Sequence, residues 1–302
     1  MHDTKKQPGL PVIMVIISAV LWGTYGSFVT AITALGIGRN AQIFLRFLMT
    51  TVPVGILIAA TGRQQFQIRK KDFWLFPANA IFSLYFFSAC YTGAIAETKI
   101  ATAAALLYTA PVIVMVLSAI LFHESVTKMK VFCILLSVLG CALASGIAGE
   151  ILSGSKAGDG DISVYGILLG LGAGLGYALY SIFSRIVLSR GYSVFTNIFY
   201  SFSIVTLLFL GSAVRDGSIR DIAAHPQGTL LAVICGLVTG FGAYVLYTLG
   251  MEQMETSRAA QLATIEPVTA AVLGSLLFHQ PLSLFEGIGV ALVVLSVILM
   301  NV

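Results

Sequence analysis

The chain has 302 residues, 58% of them hydrophobic and only 10% charged, whereas a soluble globular domain carries roughly a quarter charged residues. That composition excludes a water-soluble globule and leaves a chain whose solvent is the bilayer. The formal net charge of +4 calls for no nucleic-acid partner, because the retention of Lys and Arg on the cytoplasmic side of a membrane accounts for it.

Apolar runs of about 20 residues, each long enough to cross about 30 Å of hydrocarbon as a helix, fall near 10–32, 40–60, 73–95, 98–122, 127–146, 162–188, 194–214, 229–251, 257–278 and 282–301. They predict ten transmembrane helices in one all-α polytopic bundle, with loops too short to hold a soluble catalytic domain. The first run is longer than a signal-peptide core and lacks a small-residue cleavage site, so it is expected to be retained. With the N-terminus inside, the inner segments hold Lys5, Lys6, Arg63, Arg69, Lys70, Lys71, Lys128, Lys130, Arg185, Arg190 and Arg258, against Arg39, Lys99, Lys156, Arg215 and Arg220 outside. This imbalance predicts an integral plasma-membrane protein with both termini in the cytoplasm. Cys90, Cys133, Cys141 and Cys235 lie within predicted spans and read as free thiols packing as small hydrophobes. His2, His123, His225 and His279 are too scattered for a metal site.

The fourth and ninth runs contain the same string twice. Residues 106–124 (LLYTAPVIVMVLSAILFHE) and 262–280 (LATIEPVTAAVLGSLLFHQ) agree at 8 of 19 positions without a gap. The agreement includes Pro111 with Pro267 and a closing Phe-His pair, so it is more than shared greasiness. At the same offset Tyr91-Thr92 meets Tyr247-Thr248, and one residue closer Trp22 and Tyr25 meet Tyr177 and Tyr180. The chain is therefore read as two five-span repeats, 1–148 and 149–302. Because five is odd, the second copy must be inverted relative to the first, which is the architecture of transporters that alternate access about a central site.

Several residues in these runs are chemically conspicuous. Glu266 sits inside the ninth run, where an ionisable group is expensive unless it faces a cavity or a partner; it could bind an ammonium, carry a proton, or lock helices together by capping amides or pairing with Arg46. Arg46, between Phe44 and Phe47, could receive a carboxylate but is read first as a structural cation with a fixed partner. Glu286 reads as a group near the outer interface. Pro111 and Pro267 each free a carbonyl four residues earlier, at Leu107 and Ala263, marking hinges or kinks at matching points of the halves. Trp22 with Tyr25, and Tyr177 with Tyr180, are spaced i, i+3 on one helix face. With Tyr91, Tyr108 and Tyr247 they could form an aromatic box around a cationic or aromatic solute, or serve as ordinary interface anchors. Gln261, on one face with Thr264, is a further candidate contact. The alanines of 101–105 and Gly170, Gly172, Gly174 and Gly176 supply small faces for close helix contact.

Leu21-Trp22-Gly23, Arg46 within Phe44-Leu45-Arg46-Phe47, residues 108–111, residues 176–180 and Ile265-Glu266-Pro267 resemble the drug/metabolite transporter superfamily in its ten-span EamA branch. The resemblance covers essentially the whole chain and implies a transporter of a small metabolite. It departs at Gln280, where the family usually has Glu, while Glu124 keeps the acid in the first copy.

With no Walker motif, no Ser/His dyad and no metal cluster, neither an enzyme nor a cofactor is expected. The expected function is secondary active transport of an amino acid or amine, with export favoured and a proton as a candidate coupling ion, working as a monomer or homodimer. An importer of a quaternary amine such as choline is the alternative, and a scaffold or sensor that kept the fold is the alternative outside transport. The solute is expected near mid-depth between spans 1, 3 and 4 and spans 6, 8 and 9.

Overall fold

The computed structural model describes residues 9–98, 100–146, 163–278 and 282–301. Lys5, Lys6, Lys99, Lys156, His2, His279, Gln280 and the expected boundary between the halves lie outside them. Within them the chain is all-helical, without strands. Among the described residues nine helices are long and apolar enough to cross a membrane: α1 Leu10–Ala34, α2 Arg39–Thr61, α3 Lys70–Glu97, α4 Ala101–Phe122, α6 Val164–Ser189, α7 Val194–Arg215, α8 Pro226–Glu252, α9 Thr256–Leu277 and α10 Leu284–Asn301. The remaining predicted span is helix α5, Lys128–Ala144, whose 17 residues reach about 26 Å. Large side chains that would meet lipid, such as Ile56, Ile120, Leu207 and Leu276, stand exposed.

Helix packing follows a regular scheme. Helix α1 lies against α8 and α3 against α6, α4 lies against α6 and α1 against α9, and α2 pairs with α7 and α5 with α10. Exchanging helices 1–5 with 6–10 maps these pairs onto themselves. Irregularities repeat as well. A π-helical segment occupies Ala80–Tyr85 in α3 and Gly236–Gly242 in α8, 156 residues on. Both α4 and α9 are broken helices, running Ile100–Leu107 then Ala110–Phe122 and Thr256–Leu262 then Ile265–Phe278.

These breaks refine the expectation for the two prolines. Each falls in the first turn of a second half-helix rather than in a helix interior, where its missing N–H leaves no gap in the ladder. The Ala263 carbonyl accepts the Glu266 amide at 3.0 Å, so the chain itself takes up one of the carbonyls expected to seek water or ligand.

Close approach of α5 and α10 depends on glycine. A Cβ on Gly289 would stand 2.4 Å from the Ala144 nitrogen and 2.6 Å from the Gly140 carbonyl oxygen, a separation only small residues permit.

At one end of the bundle, polar contacts join the two sets of helices. His123 ends α4 in the left-handed conformation (φ 55°), one that His tolerates better than most residues. The next residue, Glu124, accepts the backbone amides of Thr256 and Ser257 at 2.6 and 3.1 Å and the Ser257 hydroxyl at 2.6 Å, a carboxylate on the open amides of the α9 N-terminus. Burial pushes the Glu124 carboxyl up, but these hydrogen bonds outweigh it and hold it below the usual carboxylate range. Beside it Lys130 pairs with Glu255 at 2.7 Å, and Arg185 donates to Thr256 at 2.8 Å and to the Met254 carbonyl. Asp72 is held by Arg190, by Arg69 at 2.8 Å and by Tyr192 at 2.9 Å.

Candidate functional site

A cavity of about 640 Å³ opens at the opposite end and runs into the middle of the bundle, within the usual range for small-molecule sites. Its mouth includes Thr30, Arg39, Ala101, Ser145, Leu282 and Glu286, and its deep wall includes Trp22, Arg46, Phe87, Tyr177, Tyr244 and Glu266.

The deep wall is aromatic and continuous. Tyr91 stacks on Phe87 (centroids 5.7 Å apart), Phe87 meets Tyr177 edge-on at 6.0 Å, Tyr177 meets Trp22 at 6.1 Å, and Trp22 meets Tyr244 at 5.0 Å. The geometry is that of offset and edge-to-face pairs, which hold each other's orientation. Tyr25 completes the sequence from the other side, with the Arg46 guanidinium 4.0 Å from its ring centroid and 5.8 Å from that of Tyr244.

Two opposite charges stand on this wall. Glu266 occupies the first turn of the second half of α9, and the Tyr177 hydroxyl donates to its carboxylate at 3.1 Å. Its helix approaches α1 closely: a Cβ on Gly23 would lie 2.7 Å from the Glu266 carbonyl oxygen and 2.5 Å from Thr269 Cβ. This explains the glycine after Trp22 in the first run. Arg46 lies on α2 and donates through Nη2 to the Thr239 carbonyl at 3.2 Å, inside the π-helical segment of α8. Its Nε is buried without a hydrogen-bond partner. The ion pairs among the described residues are Arg69–Asp72, Lys130–Glu255 and Arg190–Asp72; Arg46 and Glu266 share the cavity without pairing.

The structure separates the candidates read from sequence. Trp22, Tyr25, Tyr91, Tyr108, Tyr177, Glu266 and Pro267 line the large cavity, as does Arg46. Tyr180 and Tyr247 do not. They sit behind the wall around a void of about 20 Å³, with Tyr180 hydrogen-bonded to Thr248 at 2.9 Å and Tyr247 to Ser181 at 2.7 Å. Gln261 is fully buried and donates to Ser296 at 3.1 Å, which ties α9 to α10 away from the cavity, and Thr264 is buried beside it. Pro111 is buried outside the cavity lining. Two points concern charge. Arg46 has a carbonyl partner, faces the cavity and does not pair with Glu266. Glu286, expected near the outer interface, lines the cavity mouth at that end.

Spans 6 and 8 contribute less than expected, one residue each, Tyr177 and Tyr244. Tyr244 and Phe87 escaped sequence reasoning because neither has an aromatic counterpart in the other copy. Among the described residues no group of three or more His, Cys, Asp or Glu side chains comes together, and all four cysteines are free and buried.

The chain is similar to an uncharacterised transporter of Archaeoglobus fulgidus, 27% identical over 290 residues and covering 94% of each chain. It is also similar to the uncharacterised transporters YvbV (28% identical, covering 78% of this chain and 74% of that one) and YxxF (23%, covering 96% and 89%) of Bacillus subtilis. A crystal structure matches 96% of this chain and 95% of its own with a TM-score of 0.76 at 17% identity, a likeness of fold. The pattern of the EamA-like transporter family matches residues 9–146 and 164–302. The chain therefore belongs to the EamA-like transporter family of the drug/metabolite transporter superfamily, an integral membrane transporter and not an enzyme.

Proposed function

We propose that this protein is a secondary active transporter that moves an amino acid or amine by alternating access, with export favoured. The observation that carries the reading is the pair of opposite charges, Arg46 and Glu266, set in the aromatic wall of a cavity open at one end only. Glu266 and the ring faces of Trp22, Tyr91 and Tyr177 suit a solute ammonium, and Glu266 is the candidate carrier of a coupling proton.

The two halves supply the alternation. Tyr25 and Tyr91 face the cavity, while their counterparts Tyr180 and Tyr247 are packed. Inverted repeats packed in two ways exchange such environments, so rocking would bring Tyr180 and Tyr247 to a cavity open at the other end. The Glu124 contacts with Thr256 and Ser257 would then part. Among the described residues, the end closed by Glu124 carries Arg63, Arg69, Lys70, Lys71, Lys128, Lys130, Arg185, Arg190 and Arg258, against Arg39, Arg215 and Arg220 at the other. That imbalance supports a cytoplasmic closed end, with both termini on that side. Import of a quaternary amine such as choline uses the same acid and rings, but Arg46 on the wall weighs against a solute with only positive charge. The ten-helix bundle is complete within one chain, so a monomer suffices.

Counterflow in proteoliposomes tests this, with amino acids, polyamines, choline and nucleosides loaded in turn and a labelled trace followed. Exchange of an ammonium-bearing class that Glu266→Ala abolishes is the expected result. Exchange of none of them by folded protein would return the chain to the scaffold or sensor reading.

A further inference from the structure

Arg46 is 8% exposed, and among the described residues no carboxylate reaches it at ion-pair distance, Glu266 acting on it only from across the cavity. One face lies over Tyr25, Tyr244 is further off, and the bond it donates goes to the neutral carbonyl of Thr239. Nε is buried and has no partner. A guanidinium carries five N–H donors in a fixed fork suited to bidentate recognition of a carboxylate. A charge that deep is normally matched by an opposite one, and Glu266, the acid nearest in role, is held by Tyr177 instead.

We infer that Arg46 is the receptor for a carboxylate of the solute, so that the cavity recognises a zwitterionic amino acid at two poles, its ammonium on Glu266 and its carboxylate on Arg46. This rests on the transport reading above and narrows its substrate class. The charges of the cavity wall favour it. Its described Lys, Arg, Asp and Glu residues are Arg39 and Glu286 at the mouth and Arg46 and Glu266 at depth, so each level holds one positive and one negative group. A zwitterion leaves that balance intact when the cavity closes over it. A bare amine would neutralise Glu266 and leave Arg46 uncompensated; a bare acid would do the reverse. Tyr25 and Tyr244 act here as positioning residues, keeping the fork flat and turned to the cavity while the carbonyl of Thr239, available within the π-helical segment, anchors its outer edge.

The test uses two sets of three compounds that differ by one pole each: L-phenylalanine, phenethylamine and 3-phenylpropionate, and L-leucine, isoamylamine and 4-methylpentanoate. Each competes for counterflow exchange by the full-length protein in proteoliposomes. In wild type at least one amino acid should compete about tenfold or more better than both of its one-pole analogues. In Arg46→Gln that preference should collapse through loss of the amino acid and gain of the amine, since no uncompensated cation remains, and Arg46→Lys should recover part of it. If Arg46→Gln does not fold, the wild-type comparison still tests recognition of the solute carboxylate, and Arg46→Lys, which keeps the charge, tests the residue. Wild type that takes the amine as well as the amino acid would overturn the carboxylate role and leave the transport reading standing, as would a folded Arg46→Gln that keeps the preference. Exchange of none of the compounds would overturn both.

Discussion

The Tyr177 hydroxyl donates to Glu266 at 3.1 Å, joining the sixth helix to the ninth across the floor of the cavity. The bond uses one acceptor site of the carboxylate and leaves the others facing the solute space, which suits a group that must hold either an ammonium or a proton. Removing the donor without removing the ring, as in Tyr177→Phe, is expected to weaken exchange several-fold while changing stability by about 1 kcal/mol. Glu266→Gln should fold and should lose the dependence of transport on a pH gradient. A Gln variant with unchanged pH dependence takes the proton role away from Glu266.

Tyr25 and Tyr180 occupy equivalent places in the repeat and unlike places in the structure. Tyr25→Ala should lower solute affinity with little loss of thermal stability, because its ring faces the cavity. Tyr180→Ala should cost about 3 to 5 kcal/mol, since that ring is buried against Phe202 and Tyr244 and its hydroxyl is bonded to Thr248. Thermal unfolding with and without solute separates the two; equal destabilisation by both would contradict the assignment.

Glu124 gives the closed end a pH dependence whose sign is fixed. Burial raises its carboxyl, and the hydrogen bonds from Ser257 and Thr256 more than reverse this, leaving it lowered. A group lowered in the folded state contributes stability above its unfolded value and loses it as pH falls through the folded one. Closure should therefore loosen under acid conditions and be indifferent to pH near neutrality. Glu124→Gln, which is neutral and offers only one acceptor oxygen, should behave at pH 7 as wild type does in acid, at a cost of about 1 kcal/mol. Protection of the Thr256 and Ser257 amides from hydrogen exchange reads this directly, and protection that rises on acidification is the contrary outcome.

Gly289 tests the packing of α5 on α10. Any side chain there meets the backbone of Ala144 and Gly140 at 2.4 to 2.6 Å, and backbone cannot rotate away. Gly289→Leu is expected to lower stability by about 3 kcal/mol or more while the deep residues of the cavity stay in place. A Leu variant as stable as wild type would mean that the two helices are not held so close.

The spans were legible because hydrocarbon imposes a length, and the duplication was legible because Pro111 and Pro267 sit at the same point of a matching string. Six of the seven aromatic candidates pair by the same symmetry, Tyr108 meeting Thr264 instead, and symmetry is also why Tyr180 and Tyr247 stand beside the others in the sequence although this conformation keeps both out of the cavity. A single conformation of an inverted repeat puts Tyr25 at the cavity and Tyr180 behind it, a difference no comparison of the two copies reveals. Tyr244 and Phe87 were missed for the complementary reason. Gln261 resembled a ligand contact by its chemistry and mid-span position, but its partner Ser296 lies 35 residues away on a helix whose packing face the sequence does not mark. The role of Arg46 turned on whether Glu266 reached it, a matter of tertiary geometry alone.

Alternation is tested most directly by following two cysteines in a cysteine-free background, Ala104→Cys in the open cavity and Ala260→Cys in the packed cluster with Val114, Ala178 and Ile182, with a membrane-impermeant thiol reagent added from either side. A solute that exchanges should lower labelling at position 104 from one side and raise it at position 260 from the other. A solute that exchanges while leaving both positions unchanged, or exposing both from the same side, would contradict transport by exchange of the two halves' roles.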